Sequence, residues 1–224
     1  MNDSLREILI ADVPPAFVAR VLNDAQWVYK EARAHVKNDP LLGEAERAYM
    51  EPHYRRALFE RKMMDAGLDS GLVATPERVT SGAATYNLVR AGRLLLTCSK
   101  TPSRNVVTRA CVFREQFADV NEHIDQQQLF PVNSTPGDAS LYCIIIHGQS
   151  IEKPGELGYC CFAFPQKKRD DKWVWAQEPV DLADIRDYQQ TRYQKRADER
   201  AEIQVVEPKL KPKFSEGSAS EESA

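Results

Sequence analysis

The sequence has no long apolar run, no paired cysteines and no charge imbalance, and each absence removes a class of protein. Its longest apolar stretch, Leu141 to Ile146, is strand-sized and far short of the roughly 20 residues that cross a bilayer. No membrane partner is therefore expected. The opening MNDSLREILIADVPP scatters acids among short apolar runs, which is not the basic start and continuous apolar core of a signal peptide. Five cysteines, Cys98, Cys111, Cys143, Cys160 and Cys161, are an odd number without Cys-x-x-Cys spacing. Four of them lie in apolar, β-like runs, so they read as small buried hydrophobes in a reducing compartment, and a cytoplasmic location is expected. The formal charge of -3 attracts no phosphate globally, so a nucleic-acid partner requires a local basic surface.

The usual catalytic motifs are missing too. The histidines, His35, His53, His123 and His147, are scattered, and none has the His-x-x-x-His spacing of a helical zinc site. Asn121, Glu122, His123 and Asp125 crowd one helical stretch, but adjacent positions point in different directions. There is no Gly-x-Ser-x-Gly elbow and no glycine-rich phosphate loop. Cys98 and Cys143 sit in apolar runs that raise a thiol pKa, the opposite of what a nucleophile needs. Glu60-Arg61-Lys62 has the Glu-x-Lys spacing of a class of metal-dependent nucleases, yet it lies in a helical pattern and the following strands hold almost no carboxylate. No catalytic residue, metal ligand or cofactor is called for. An enzyme built from dispersed groups stays open as an alternative, with His147, His53, Glu60 and Arg114 as its polar residues.

What is present reads as an α+β protein. Phe17, Val21, Ala25, Val28, Ala32 and Val36 recur at helical steps after Pro14-Pro15, and Asn38-Asp39-Pro40 ends that helix. A second helical stretch runs from about 43 to 66, with Gly67 placed to close it and Pro52 to kink or divide it. Strands are expected at 85–89 and 94–99, joined by a turn at Arg90-Ala91-Gly92-Arg93, and again at 106–113. A helix at 114–129 follows, with Phe113, Phe117, Val120, Ile124 and Gln128 on its inner face. Strands at 140–147, 158–164 and 172–177 lead to a helix capped by Asp181 and reaching about 200. These elements predict an antiparallel or mixed sheet of about five to six strands, covered on one face by helices. Residues 1–67 form a helical N-terminal layer or subdomain, 68–200 the sheet domain, and 201–224, rich in Ser, Glu and Ala, a disordered, flexible tail.

Between Glu77 and Glu115 the sequence has no acid, while Arg78, Arg90, Arg93, Lys100, Arg104, Arg109 and Arg114 all fall there. Arginine forks suit phosphate oxygens, so Arg90, Arg93, Lys100, Arg104, Arg109 and Arg114 form the candidate nucleic-acid contact. The competing reading makes them solvated turn residues or edge charges. A second basic group, His53-Tyr54-Arg55-Arg56 with Arg61-Lys62, puts Arg55 and Lys62 on one helical face. It is diluted by Glu51, Glu60 and Asp65 and explained largely by ion pairs along a helix, with a nucleic-acid recognition helix as the alternative that no helix-turn-helix pattern supports. In the last helix Tyr188, Arg192, Tyr193 and Arg196 form an aromatic and basic ridge, and Ile203 to Val206 would suit an added strand. The expectation is an intracellular binding or regulatory protein. Its partner is a nucleic acid at the arginine-rich hairpin, or alternatively another protein at the sheet edge and C-terminal segment.

Overall fold

The helical spacing of the N-terminal third is realised in a computed structural model that describes residues 3–79, 85–121, 124, 141–167 and 172–204. Helices α1 (Asp3–Asp12), α2 (Pro15–Asn38) and α3 (Glu44–Asp69) come first. Strands β1 (Val73–Arg78), β2 (Thr85–Ala91) and β3 (Leu94–Lys100) follow, then helix α4 (Val112–Ala118) with a 3-10 turn at Asp119–Asn121. Strands β4 (Leu141–Gln149), β5 (Leu157–Ala163), β6 (Pro165–Lys167), β7 (Trp173–Trp175) and β8 (Val180–Asp181) precede helix α5 (Leu182–Gln204). The chain divides into two compact units, Met1–Gln190 and Thr191–Ala224. Of the second, the structure describes only the helical residues to Gln204.

In the first unit a six-stranded sheet has the order β1-β2-β3-β4-β5-β8, and β6 and β7 form a separate ribbon. Every neighbouring pair is antiparallel except β3 and β4, which run parallel. The α+β class and the mixed sheet thus match the sequence expectation, but the sheet is covered on both faces. One face carries Leu94, Leu96, Cys143, Ile145, Cys160 and Phe162 and packs against α1, α2, α3 and the start of α5. The other carries Leu95, Tyr142, Ile144, Ile146, Cys161 and Ala163 beneath Ala118, Phe117, Trp173 and Trp175. Residues 141–148 of β4 are accordingly all buried, the reason that strand reads as an unbroken apolar run. Each fully buried Leu, Ile or Phe in these layers contributes about 2 kcal/mol. Cys160 and Cys161 do face opposite sides, as their adjacency on a strand requires. All five thiols are free, and burial raises Cys98, Cys143 and Cys160 and pushes Cys161 up to about 12.

Several local expectations are corrected. Pro52 neither ends nor divides α3, which runs on as one helix. Gly67 does not close α3 either. It lies inside the helix where an added Cβ would sit 3.0 Å from Val89, so its role is to let α3 approach β2, and Gly71, at φ 73, takes the left-handed turn instead. No strand forms at 106–113: the segment is irregular up to Cys111, and Val112 begins α4. The physical reason is topological. Among the described residues the strand after β3 in sequence is its parallel neighbour β4, and parallel neighbours need a long crossover outside the sheet. The helix expected over 114–129 is short, tightening after Ala118 into the 3-10 turn. There Asn121, fully buried, donates Nδ2 to the Tyr142 (2.8 Å) and Pro165 (2.7 Å) carbonyls and accepts from the Tyr142 amide at 2.9 Å. Val120, expected on the inner face, is exposed. Ile203 and Gln204, expected to start a strand, end α5. The flexible-tail expectation beyond Gln204 lies outside the described residues, as do the positions of His123 and Gln128.

Candidate anion-binding cleft

Parallel pairing brings the C-terminal ends of β3 and β4 to the same edge of the sheet, with Lys100 opposite His147 in register. That is the edge at which open parallel sheets hold ligands. The second half of α2 and the first half of α3 rise beside it, and the loop after β4 closes the far wall. Between them is a cleft of about 530 Å³ whose lining includes Arg33, Lys37, Arg47, Arg55, Lys100 and Gln149. Only two carboxylates, Glu44 and Glu51, line it against those five cations.

Arg55 organises the cleft floor. It occupies the buried face of α3 one turn before Phe59 and two before Met63, and its side chain is 1% exposed. Its Nη1 donates to Gln149 Oε1 at 3.0 Å, its Nη2 donates to Glu51 Oε1, and its Cζ lies 4.4 Å from the centre of the Tyr29 ring. Its Nε is buried without a hydrogen-bond partner. Tyr29 in turn meets His147 Nδ1 through its hydroxyl at 2.8 Å, and Phe59 stacks on the His147 ring at 3.8 Å. Burial, reinforced by the charges of Arg55 and Lys100, pulls the His147 pKa down to about 3. Burial raises the Tyr29 pKa. Both groups are therefore neutral, and the tautomer of the imidazole sets which of them donates in this hydrogen bond.

The rim is fixed by backbone and tyrosine contacts. The Thr101 amide donates to the His147 carbonyl at 3.1 Å. The Tyr159 hydroxyl donates to the Thr101 carbonyl at 2.7 Å and lies 2.6 Å from Thr101 Oγ1. Gly148 makes room for that tyrosine, because a Cβ there would run into the Tyr159 ring. Gly155, at φ +89, does the same for the Arg33 side chain. Arg47 ties the α2–α3 connection by donating to the Asp39 carbonyl at 3.0 Å. Lys100 is exposed and has no ion-pair partner among the described residues. Partial burial first, and then the Arg55 charge, lower its pKa against the opposing pull of Glu51.

The six residues of the basic window separate into two groups. Arg90 is exposed near the β2–β3 turn, and Arg93 at that turn is held by Asp12, which accepts from its Nε at 2.7 Å, its Nη2 at 3.0 Å and its amide at 3.0 Å. Lys100 stands at the other end of β3, about 20 Å away at 3.3 Å per residue. Arg104 donates to the Pro179 carbonyl at 2.9 Å and lies 3.6 Å from Glu178. Arg114 donates to Ser99 Oγ at 3.0 Å and to the Arg109 carbonyl at 2.9 Å, while the Arg109 side chain is exposed. Of the six, Lys100 alone lines the cleft. Nor are the four residues of the dispersed-enzyme alternative gathered there, since His147 is buried, His53 is exposed beside Tyr49, Glu60 accepts from Arg56 at 2.9 Å, and Arg114 is held by Ser99. Among the described residues no group of three or more His, Cys, Asp or Glu is placed to hold a metal ion, and no helix is long and apolar enough to cross a membrane.

No family model matches the chain, and neither a curated protein nor a solved structure matches it.

Arg33, Lys37, Arg47 and Gln149 carry no signal of their own in the sequence, where Arg55 reads as part of a helical ion-pair series. A clue to Arg55 was present: it shares the spacing of Phe59, Met63 and Ala66, the buried side of α3. An arginine in such a series is either paired inside the protein or lines a cleft.

Proposed function

We propose that this is a binding protein whose cleft takes a small ligand bearing a phosphate or carboxylate group. The observation that carries the reading is Arg55, a guanidinium held on the cleft floor by Glu51, Gln149 and the Tyr29 ring, beside Lys100, which has no ion-pair partner among the described residues. A buried cation is costly to desolvate, and this one keeps its buried Nε without a hydrogen-bond partner among the described residues. Cations outnumber carboxylates on the lining, so a ligand carrying more than one negative charge relieves repulsion between Arg55 and Lys100 as it binds. The volume suits a metabolite-sized molecule.

The test is calorimetric titration with inorganic phosphate, pyrophosphate and citrate at low salt. Arg55→Met is expected to weaken binding about tenfold to a hundredfold, the worth of a charge-assisted hydrogen bond. Arg47→Gln, at a less buried position, gives a smaller loss in a variant expected to fold normally. No binding by any of the three anions, or equal binding by both variants, defeats the reading. Mixed-sequence DNA and RNA titrated across salt form the other arm. Retention that Arg90→Glu abolishes and Arg55→Met leaves intact assigns the function to the hairpin arginines instead.

A further inference from the structure

We infer that Lys100 is a covalent capture site in this cleft, forming a reversible imine with an anionic aldehyde or ketone. The inference rests on the anion-binding reading and deepens it by naming the ligand class. Three features single out this lysine. It ends β3 at the cleft rim, on rigid sheet backbone rather than on a mobile loop. Its neighbour in the register is His147, whose carbonyl accepts from the Thr101 amide, so the chain direction at this point is fixed. And the carboxylate closest to serving it, that of Glu51, is already engaged by Arg55.

An ammonium with no ion-pair partner among the described residues, facing the charge of a buried guanidinium, gives up its proton more readily than a solvated lysine. The lowered Lys100 pKa agrees with that placement. The neutral amine is the nucleophile that carbonyl compounds require. Its nitrogen attacks the carbonyl carbon, and a proton passes from nitrogen to the former carbonyl oxygen to give the carbinolamine. That hydroxyl leaves as water with a proton from solvent, and the carbon–nitrogen double bond forms. No oxidant or reductant enters. The anionic group of the same ligand is held by Arg55, Arg47 and Arg33, which fixes the carbonyl near Lys100 and raises its effective concentration there. Lys37, the other lysine of the lining, lies on the exposed side of α2 in its last turn and lacks a buried cation as neighbour among the described contacts.

The probe is pyridoxal 5′-phosphate, a phosphorylated aldehyde, added to the full chain and trapped with borohydride before peptide mass mapping. Lys100 is expected to carry the label at probe concentrations that leave the other lysines unmodified. Inorganic phosphate should protect it, Lys100→Arg should lose the label, and Arg55→Met should reduce it. Labelling spread over exposed lysines, or unchanged in Lys100→Arg, overturns the inference. If phosphate still binds by calorimetry while Lys100 stays unlabelled, the covalent step is refuted and the anion-binding reading stands; if neither occurs, both fall.

Discussion

Acidification should strip stability from this protein through one residue, His147. The folded state holds its ring neutral, with a pKa near 3 against an ordinary value of 6.5, by burying it between Tyr29, Phe59 and Cys160 beside Arg55 and Lys100. Between these two values the unfolded chain binds a proton at this site and the folded chain does not. Stability is therefore fully present above about pH 6.5 and lost as the pH falls toward 3. With those two pKa values the loss from this group is about 2 kcal/mol on going from pH 7 to pH 5, and about 3 kcal/mol by pH 4. The assay is urea unfolding at half-unit pH steps, wild type beside His147→Gln, whose amide can still hydrogen-bond with the Tyr29 hydroxyl. The variant begins less stable because it loses the Phe59 stack, but its profile should be flatter by that amount. Tyr29→Phe keeps the buried imidazole and should keep the slope. Parallel wild-type and His147→Gln profiles from pH 7 to pH 4 would refute the reasoning, since other titrating groups are common to both.

Two further outcomes are expected. Gly148→Ala drives a Cβ into the ring of Tyr159, which Thr101 holds in place, and should cost about 2 kcal/mol in urea unfolding; in a Tyr159→Ala background most of that cost should vanish. Asn121→Ala leaves the Tyr142 amide and carbonyl and the Pro165 carbonyl without their side-chain partner and should cost about 3 kcal/mol. Asn121→Asp, which keeps the acceptor for the Tyr142 amide but not the donors, should also destabilise, and a neutral result there would show that the two donated bonds contribute little.

Much of the fold was legible because it depends on periodicities that a chain carries locally. Phe17 through Val36 marks the inner side of α2, Gly92 marks the β2–β3 turn at φ 54, and Asp181 caps α5 by accepting from the Ala183 amide at 2.9 Å. The cleft was much less legible. Charge alone linked Arg90, Arg93 and Lys100, yet a seven-residue strand separates the ends on which they lie. Arg55 looked like one half of a helical ion pair, and it does pair with Glu51, but Gln149 and Tyr29 come from elements far away in sequence.

By itself, then, the sequence determined the helical character of α2 and α3, the strand character of β2 to β5 and the burial of Cys98, Cys143, Cys160 and Cys161, because side-chain period and apolar content act over a few residues. Tertiary structure alone decided that β3 and β4 run parallel, that 106–111 is irregular instead of a strand, and that Lys100, Gln149 and Arg55 share one cleft. Those outcomes depend on which strand ends meet, a choice made by the packing of α2 and α3 on the whole sheet and not by any local stretch of chain.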